Sequence, residues 1–112
     1  MLTFDELLGM YQNNENFILL DVRSREDYDK KHLPGALSIP LEDIKDFADR
    51  LDRDEKVVTY CGGFHCPLST EAAKELMKLG FKNVSDYKGG IQEWDEKGYP
   101  TETSHLHQSG VK

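Results

Sequence analysis

Phe17-Ile18-Leu19-Leu20-Asp21-Val22 and Lys56-Val57-Val58-Thr59-Tyr60 are two runs of strand length that are apolar almost without interruption. A strand with one wet face alternates apolar and polar residues, so an unbroken run has to be covered on both faces. Segments of helical period surround these runs: Phe4, Leu7, Leu8 and Tyr11; Leu41, Ile44, Ala48 and Leu51; Ala72, Ala73, Leu76 and Met77; Ile91 with Trp94. Strands that alternate with helices build a central parallel sheet with helices on both faces, an α/β architecture. The two apolar runs take its centre. Ala36 to Ile39 and Asn83-Val84-Ser85-Asp86-Tyr87 add shorter extended pieces, for an expected sheet of about five strands.

Local signals mark where these elements start and stop. Thr3-Phe4-Asp5-Glu6 has the form of a capping box, and Ser24 can cap a short helix through Tyr28. Asn13 and Asn14 break the first helix, Pro34-Gly35 marks a turn, and Gly80 stands where a left-handed residue closes a helix. Gly89-Gly90 leads into the last helix, which ends before Gly98. With 112 residues, 38% of them hydrophobic, the chain has material for one core. Residues 1–100 are expected to form that domain, and the polar residues 101–112 to follow as a tail, mobile or laid across the surface.

The net charge of −7 comes from acids spread over Glu42-Asp43, Asp52, Asp54-Glu55 and Asp95-Glu96. Such a surface repels phosphate backbones and anionic lipids, which argues against nucleic-acid and membrane partners. No stretch approaches the roughly 20 apolar residues that span a bilayer. The segment Met1 to Glu6 has early acids and no basic lead into an apolar run, unlike a secretory signal, so the cytoplasm is the expected compartment. Two cysteines five positions apart make a poor disulfide framework for a chain of this size. In a reducing cytosol they serve chemistry or stay as thiols.

Chemistry concentrates at Cys61. The second apolar run delivers this thiol into Gly62-Gly63-Phe64-His65-Cys66-Pro67, ahead of a helix-like stretch from Ser69. Loop amides and a helix N-terminus favour the thiolate, which is the layout of a nucleophilic cysteine. The plain alternative is a free cysteine that ends a buried strand. Cys61, His65 and Cys66, with His105 or His107, have ligand chemistry for a metal, but their spacing matches no common zinc pattern, and no metal is expected.

Several segments taken in order resemble the rhodanese family of sulfurtransferases. They are Leu20-Asp21-Val22-Arg23 with Tyr28, His32-Leu33-Pro34-Gly35-Ala36 to Ile39-Pro40, Val57 to Cys61, and Gly80-Phe81-Lys82-Asn83-Val84. Lys88-Gly89-Gly90-Ile91, Trp94 and Gly98-Tyr99-Pro100 complete the set. The resemblance implies a rhodanese-like fold without a cofactor. It also implies that Cys61 carries a persulfide between a sulfane-sulfur donor, thiosulfate or a persulfide, and a thiol or cyanide acceptor. Donor and acceptor are then small thiols or persulfidated proteins.

The loop departs from the family pattern, in which a basic residue and then a serine follow the cysteine. Here Leu68 precedes Ser69, and the loop is longer. Amides of Gly62, Gly63, Phe64, His65 and Cys66 are left to stabilise anionic sulfur, with Ser69 at the helix start. Without an arginine, thiosulfate is expected to be a poor donor and a persulfide a better one. His65 either assists as a proton holder, sulfonate ligand or ion-pair partner, or is a solvated loop residue. Cys66 is either a resolving thiol for Cys61 or a small apolar residue packed at the helix start.

Arg23 is the nearest candidate for anion support, although local pairing beside Asp21 is the stronger expectation, and His32 is expected to stabilise its turn. Two other function classes stay open: thiol redox or persulfide sensing through Cys61 and Cys66, and a non-catalytic module of rhodanese shape. A phosphatase of the same fold ranks below these, because it needs a loop arginine.

Overall fold

The computed structural model describes residues 1–104; His105, His107 and the rest of the expected tail lie outside the described residues. In chain order the elements are α1 (Phe4–Gln12), β1 (Ile18–Asp21), α2 (Arg25–Lys30), β2 (Leu37–Ser38) and a 3-10 turn (Leu41–Asp43). Then follow α3 (Ile44–Ala48), β3 (Lys56–Tyr60), α4 (Leu68–Lys78), β4 (Asn83–Tyr87) and α5 (Gly90–Glu96).

All strand pairings are parallel, in the order β2-β1-β3-β4. The two unbroken apolar runs are the two central strands, paired from Ile18 with Val57 to Asp21 with Tyr60. Among the described residues four strands form the sheet, and an isolated bridge, Leu2 with Tyr87, extends the β4 edge without making a strand.

Side-chain alternation sorts the core into two layers. Leu19, Val58 and Tyr60 pack with Phe4, Leu7, Met10, Ile91 and Trp94, under α1 and α5. Leu20, Val22, Val57 and Cys61 pack with Ile44, Ala48, Ala72, Leu76 and Phe81, under α3 and α4. Each cluster buries one side of the sheet, which is why the central strands carry no polar stripe.

Caps behave as the sequence signals predict. Thr3 and Glu6 form a reciprocal capping box on α1, and the Ser24 hydroxyl accepts from the Asp27 amide on α2. Gly80 sits at φ +98 after α4. The helical spacing from Leu41 to Leu51 corresponds to three tighter pieces: the 3-10 turn, the five-residue α3, and i to i+3 bonds from Arg50 to Phe47 and Leu51 to Ala48. Residues 101–104 run back along the domain, where Glu102 and His32 exchange backbone hydrogen bonds of 2.9 Å. His32 is buried, donates from Nδ1 to the Tyr28 carbonyl at 2.7 Å and stacks on the Tyr28 ring. Among the described residues no helix is long and apolar enough to cross a membrane.

Candidate active site

Strand β3 ends at Tyr60 and passes Cys61 into the space between α4 and α5. The Cys61 carbonyl accepts from the Ile91 amide at 3.1 Å, and the Gly62 carbonyl from the Gln92 amide at 2.9 Å. Two first-turn amides of α5, which have no partner inside their own helix, therefore clamp the start of the loop. The approach is close enough to require glycine at position 90. Gly90 lies at φ +64, and a Cβ there would fall 2.9 Å from both Gly62 C and Gly63 N and run into the Cys61 carbonyl oxygen.

A turn closes the other end of the loop. The Cys66 amide donates to the Gly63 carbonyl at 3.0 Å, so one of the amides expected to meet anionic sulfur is committed to the loop itself. The curl brings the Cα atoms of Cys61 and Cys66 to 6.3 Å, inside the range a disulfide spans, and the two cysteines are bonded. No free cysteine remains. Cys61 is 2% exposed, and Cys66 packs against the same apolar cluster. Pro67 occupies the cap position of α4 rather than its first helical residue; its missing N–H costs nothing there, and its carbonyl accepts from Glu71. Ser69 is buried in the first turn, where its carbonyl accepts the Thr59 hydroxyl at 2.9 Å.

Phe64 and His65 form the outer lip. With Gln92, Glu93, Glu96 and Lys97 they line a surface pocket of about 330 Å³. Phe64 is 57% exposed, a large apolar side chain open to solvent. Among the described residues no three His, Cys, Asp or Glu side chains gather as a metal site.

A family model of the rhodanese-like domain matches residues 3–97. The chain belongs to the rhodanese-like family. Thiosulfate sulfurtransferase GlpE of Actinobacillus pleuropneumoniae is 33% identical over 92 residues, 82% of this chain and 83% of that protein. An HTH-type transcriptional regulator of Mycobacterium tuberculosis is 33% identical over 101 residues, 90% of this chain and 44% of the regulator. The chain thus spans less than half of the regulator, as it does of a Bacillus subtilis relative, at 45%. A solved Bacillus halodurans protein superposes with a TM-score of 0.84 at 34% identity, covering 91% of this chain and 75% of that one.

Within this rhodanese-like domain Arg23 is engaged away from the loop. Its guanidinium donates to both carboxylate oxygens of Asp21, at 2.8 Å for the shortest contact, and to the Lys31 carbonyl. Asp21 in turn accepts from the Arg23 amide and from the Tyr60 hydroxyl. Arg23 leaves its strand with the parity of Asp21, on the sheet face opposite the cluster that holds Cys61. Support of an anion by Arg23 would require this pair to break. Burial, and then the Asp21 carboxylate, push the Tyr60 phenol far above its ordinary value, which keeps it a neutral donor.

Lys88 is the loop contact that the sequence reading left without a role. Its ammonium donates to the Cys66 carbonyl at 3.0 Å and to the Thr70 hydroxyl at 3.1 Å, and Thr70 donates to Asp86 at 2.6 Å. The available signal was topological: Lys88 follows β4 just as Cys61 follows β3, so neighbouring parallel strands deliver both to one sheet edge. Lys88→Met removes both bonds and is expected to lower stability by about 1–2 kcal/mol in a urea titration. An unchanged midpoint would mean that the ammonium is solvated rather than anchoring the loop.

Proposed function

We propose that this rhodanese-like domain is a sulfurtransferase that carries sulfane sulfur on Cys61. The observation that carries the reading is the position of Cys61. It stands at the carboxyl end of a central parallel strand, at the start of a loop pinned by the amides of α5. The reduced Cys61 thiolate attacks the outer sulfur of a donor R–S–SH. The donor's S–S bond breaks, R–S⁻ leaves with the electron pair, and Cys61–S–SH remains. An acceptor thiolate or cyanide then takes the outer sulfur and returns Cys61 as the thiolate. The bonded cysteines represent the oxidised resting form, which a thiol reductant has to open before loading, as a reducing cytoplasm would.

The name of the Actinobacillus pleuropneumoniae relative supports sulfur transfer, and the loop chemistry bears on the donor. No arginine lies between Cys61 and α4. A thiosulfate dianion finds no bidentate guanidinium in that loop, so a low-molecular-weight or protein persulfide is the better donor.

Cys66→Ser, in which no second thiol can react, isolates the loading step. Reduced and treated with glutathione persulfide, this variant is expected to gain the mass of one sulfur atom on Cys61, removable by cyanide. Thiosulfate is expected to load it about tenfold more slowly. The Cys61→Ser variant should take up nothing. Failure of Cys66→Ser to load from either donor, or equal loading of Cys61→Ser, removes the carrier role.

A further inference from the structure

We infer that Cys66 discharges the Cys61 persulfide as sulfide, which makes the domain a persulfide reductase whose two thiols supply the electrons. The inference rests on the carrier role of Cys61 and assigns that site a second outcome. Its starting point is the bond between the cysteines: Cys66 Sγ reaches the Cys61 sulfur itself, not only a sulfur attached to it. A thiolate at Cys66 can therefore attack the inner sulfur of Cys61–S–SH. The new bond is Cys61–Cys66, the bond that breaks is the one to the outer sulfur, and hydrosulfide leaves with the electron pair. Sulfane sulfur is reduced to sulfide while two thiols are oxidised to a disulfide. With the loading step included, R–S–SH and the dithiol protein give R–SH, hydrogen sulfide and the disulfide protein. A dithiol reductant then restores the pair.

Competition with dissolved acceptors favours this outcome. A flexible tether of a few residues already presents its partner at roughly millimolar effective concentration, and a tether held in one geometry exceeds that. This tether is held at both ends. The amides of Ile91 and Gln92 fix Cys61 and Gly62, while the Lys88 ammonium and the Gly63 carbonyl fix Cys66. Both cysteines also pack against one apolar cluster, so the reaction needs no large loop closure. The outer sulfur of a persulfide lies about one disulfide bond length from Cys61 Sγ, as Cys66 Sγ does in the bonded form. Loading must therefore turn the Cys66 side chain aside, and its return expels the outer sulfur.

Fully reduced wild-type protein and the Cys66→Ser and Cys66→Ala variants are each given glutathione persulfide in a single turnover without added reductant. Sulfide is trapped and quantified, and the intact masses are read. Wild type is expected to release about one sulfide per chain and to end as the internal disulfide. Both variants should keep the sulfur on Cys61 and release at least about tenfold less sulfide over the same time. If wild type retains the persulfide and releases no more sulfide than the variants, Cys66 does not resolve it and the carrier role stands alone. If neither variant loads, the carrier role itself fails and the reductase falls with it.

Discussion

Gly90→Ala is expected to destabilise the domain by about 3 kcal/mol or more, the sum of a left-handed backbone penalty and overpacking against fixed atoms. The clash is with backbone: Gly62 C and Gly63 N at 2.9 Å, and the Cys61 carbonyl. Backbone cannot rotate out of the way as a side-chain tip can. Either α5 lifts from the loop, losing the bonds from Ile91 and Gln92, or the loop moves and takes Cys61 with it. Gly98→Ala supplies the comparison. Gly98 also has a positive φ, +81, but a Cβ there meets nothing within 4 Å, so only the conformational cost of about 1–2 kcal/mol applies. Urea midpoints at unchanged slope give both values. Equal costs would show that no tight contact exists between α5 and the loop. The same Gly90 variant, with Cys66→Ser as background, should load persulfide more slowly, because the clamp on the Cys61 carbonyl is lost.

The contrast between these glycines shows what was readable in the sequence and what was not. Position 98 follows a helix, and local pattern suffices to place a glycine there. Position 90 needs glycine because β3 and β4 are parallel neighbours and the segments that follow them collide, a fact of tertiary pairing. Lys88 and Gln92 escaped the sequence reading for the same reason. By contrast β1, β3 and the caps at Thr3 and Ser24 depend on residues within a few positions of one another, and the structure has them where the pattern places them. The Leu41 to Leu51 segment marks the limit of periodicity. Apolar residues three or four apart suit a 3-10 turn as well as an α-helix, so spacing could not show the break. The placement of Cys61 at the end of a central strand was legible because an apolar run, a thiol and two glycines are contiguous. Whether Cys66 would face it depended on the turn from Cys66 to Gly63, which spacing alone leaves open.

Asp21→Ala is expected to cost about 3–5 kcal/mol, because it leaves a largely buried guanidinium without its counter-charge. Asp21 is fully buried and accepts the Arg23 amide and Nε at 3.0 Å, Arg23 Nη2 at 2.8 Å and the Tyr60 hydroxyl at 2.8 Å. Tyr60 accepts in turn from the Leu33 amide at 3.0 Å, so one carboxylate ties the ends of both central strands to the turn at Pro34. Asp21→Asn keeps the shape and an acceptor for Tyr60 but loses the charge and turns an amide NH2 on the Arg23 donors, so its cost is expected to be of the same size, about 3 kcal/mol. Arg23→Met strands the carboxylate instead and is expected to cost about 3 kcal/mol. The decisive measurement is the double variant Asp21→Ala with Arg23→Met. It should be more stable than the sum of the single changes predicts by about 2 kcal/mol or more, since neither side then buries an unpaired charge. Arg23 was also a candidate for anion support, and that role has a different signature: loss of the guanidinium would slow thiosulfate and persulfide loading while the urea midpoint stayed in place. The paired geometry predicts the reverse, a large fall in stability, with loading changed only as far as the end of β3 is displaced.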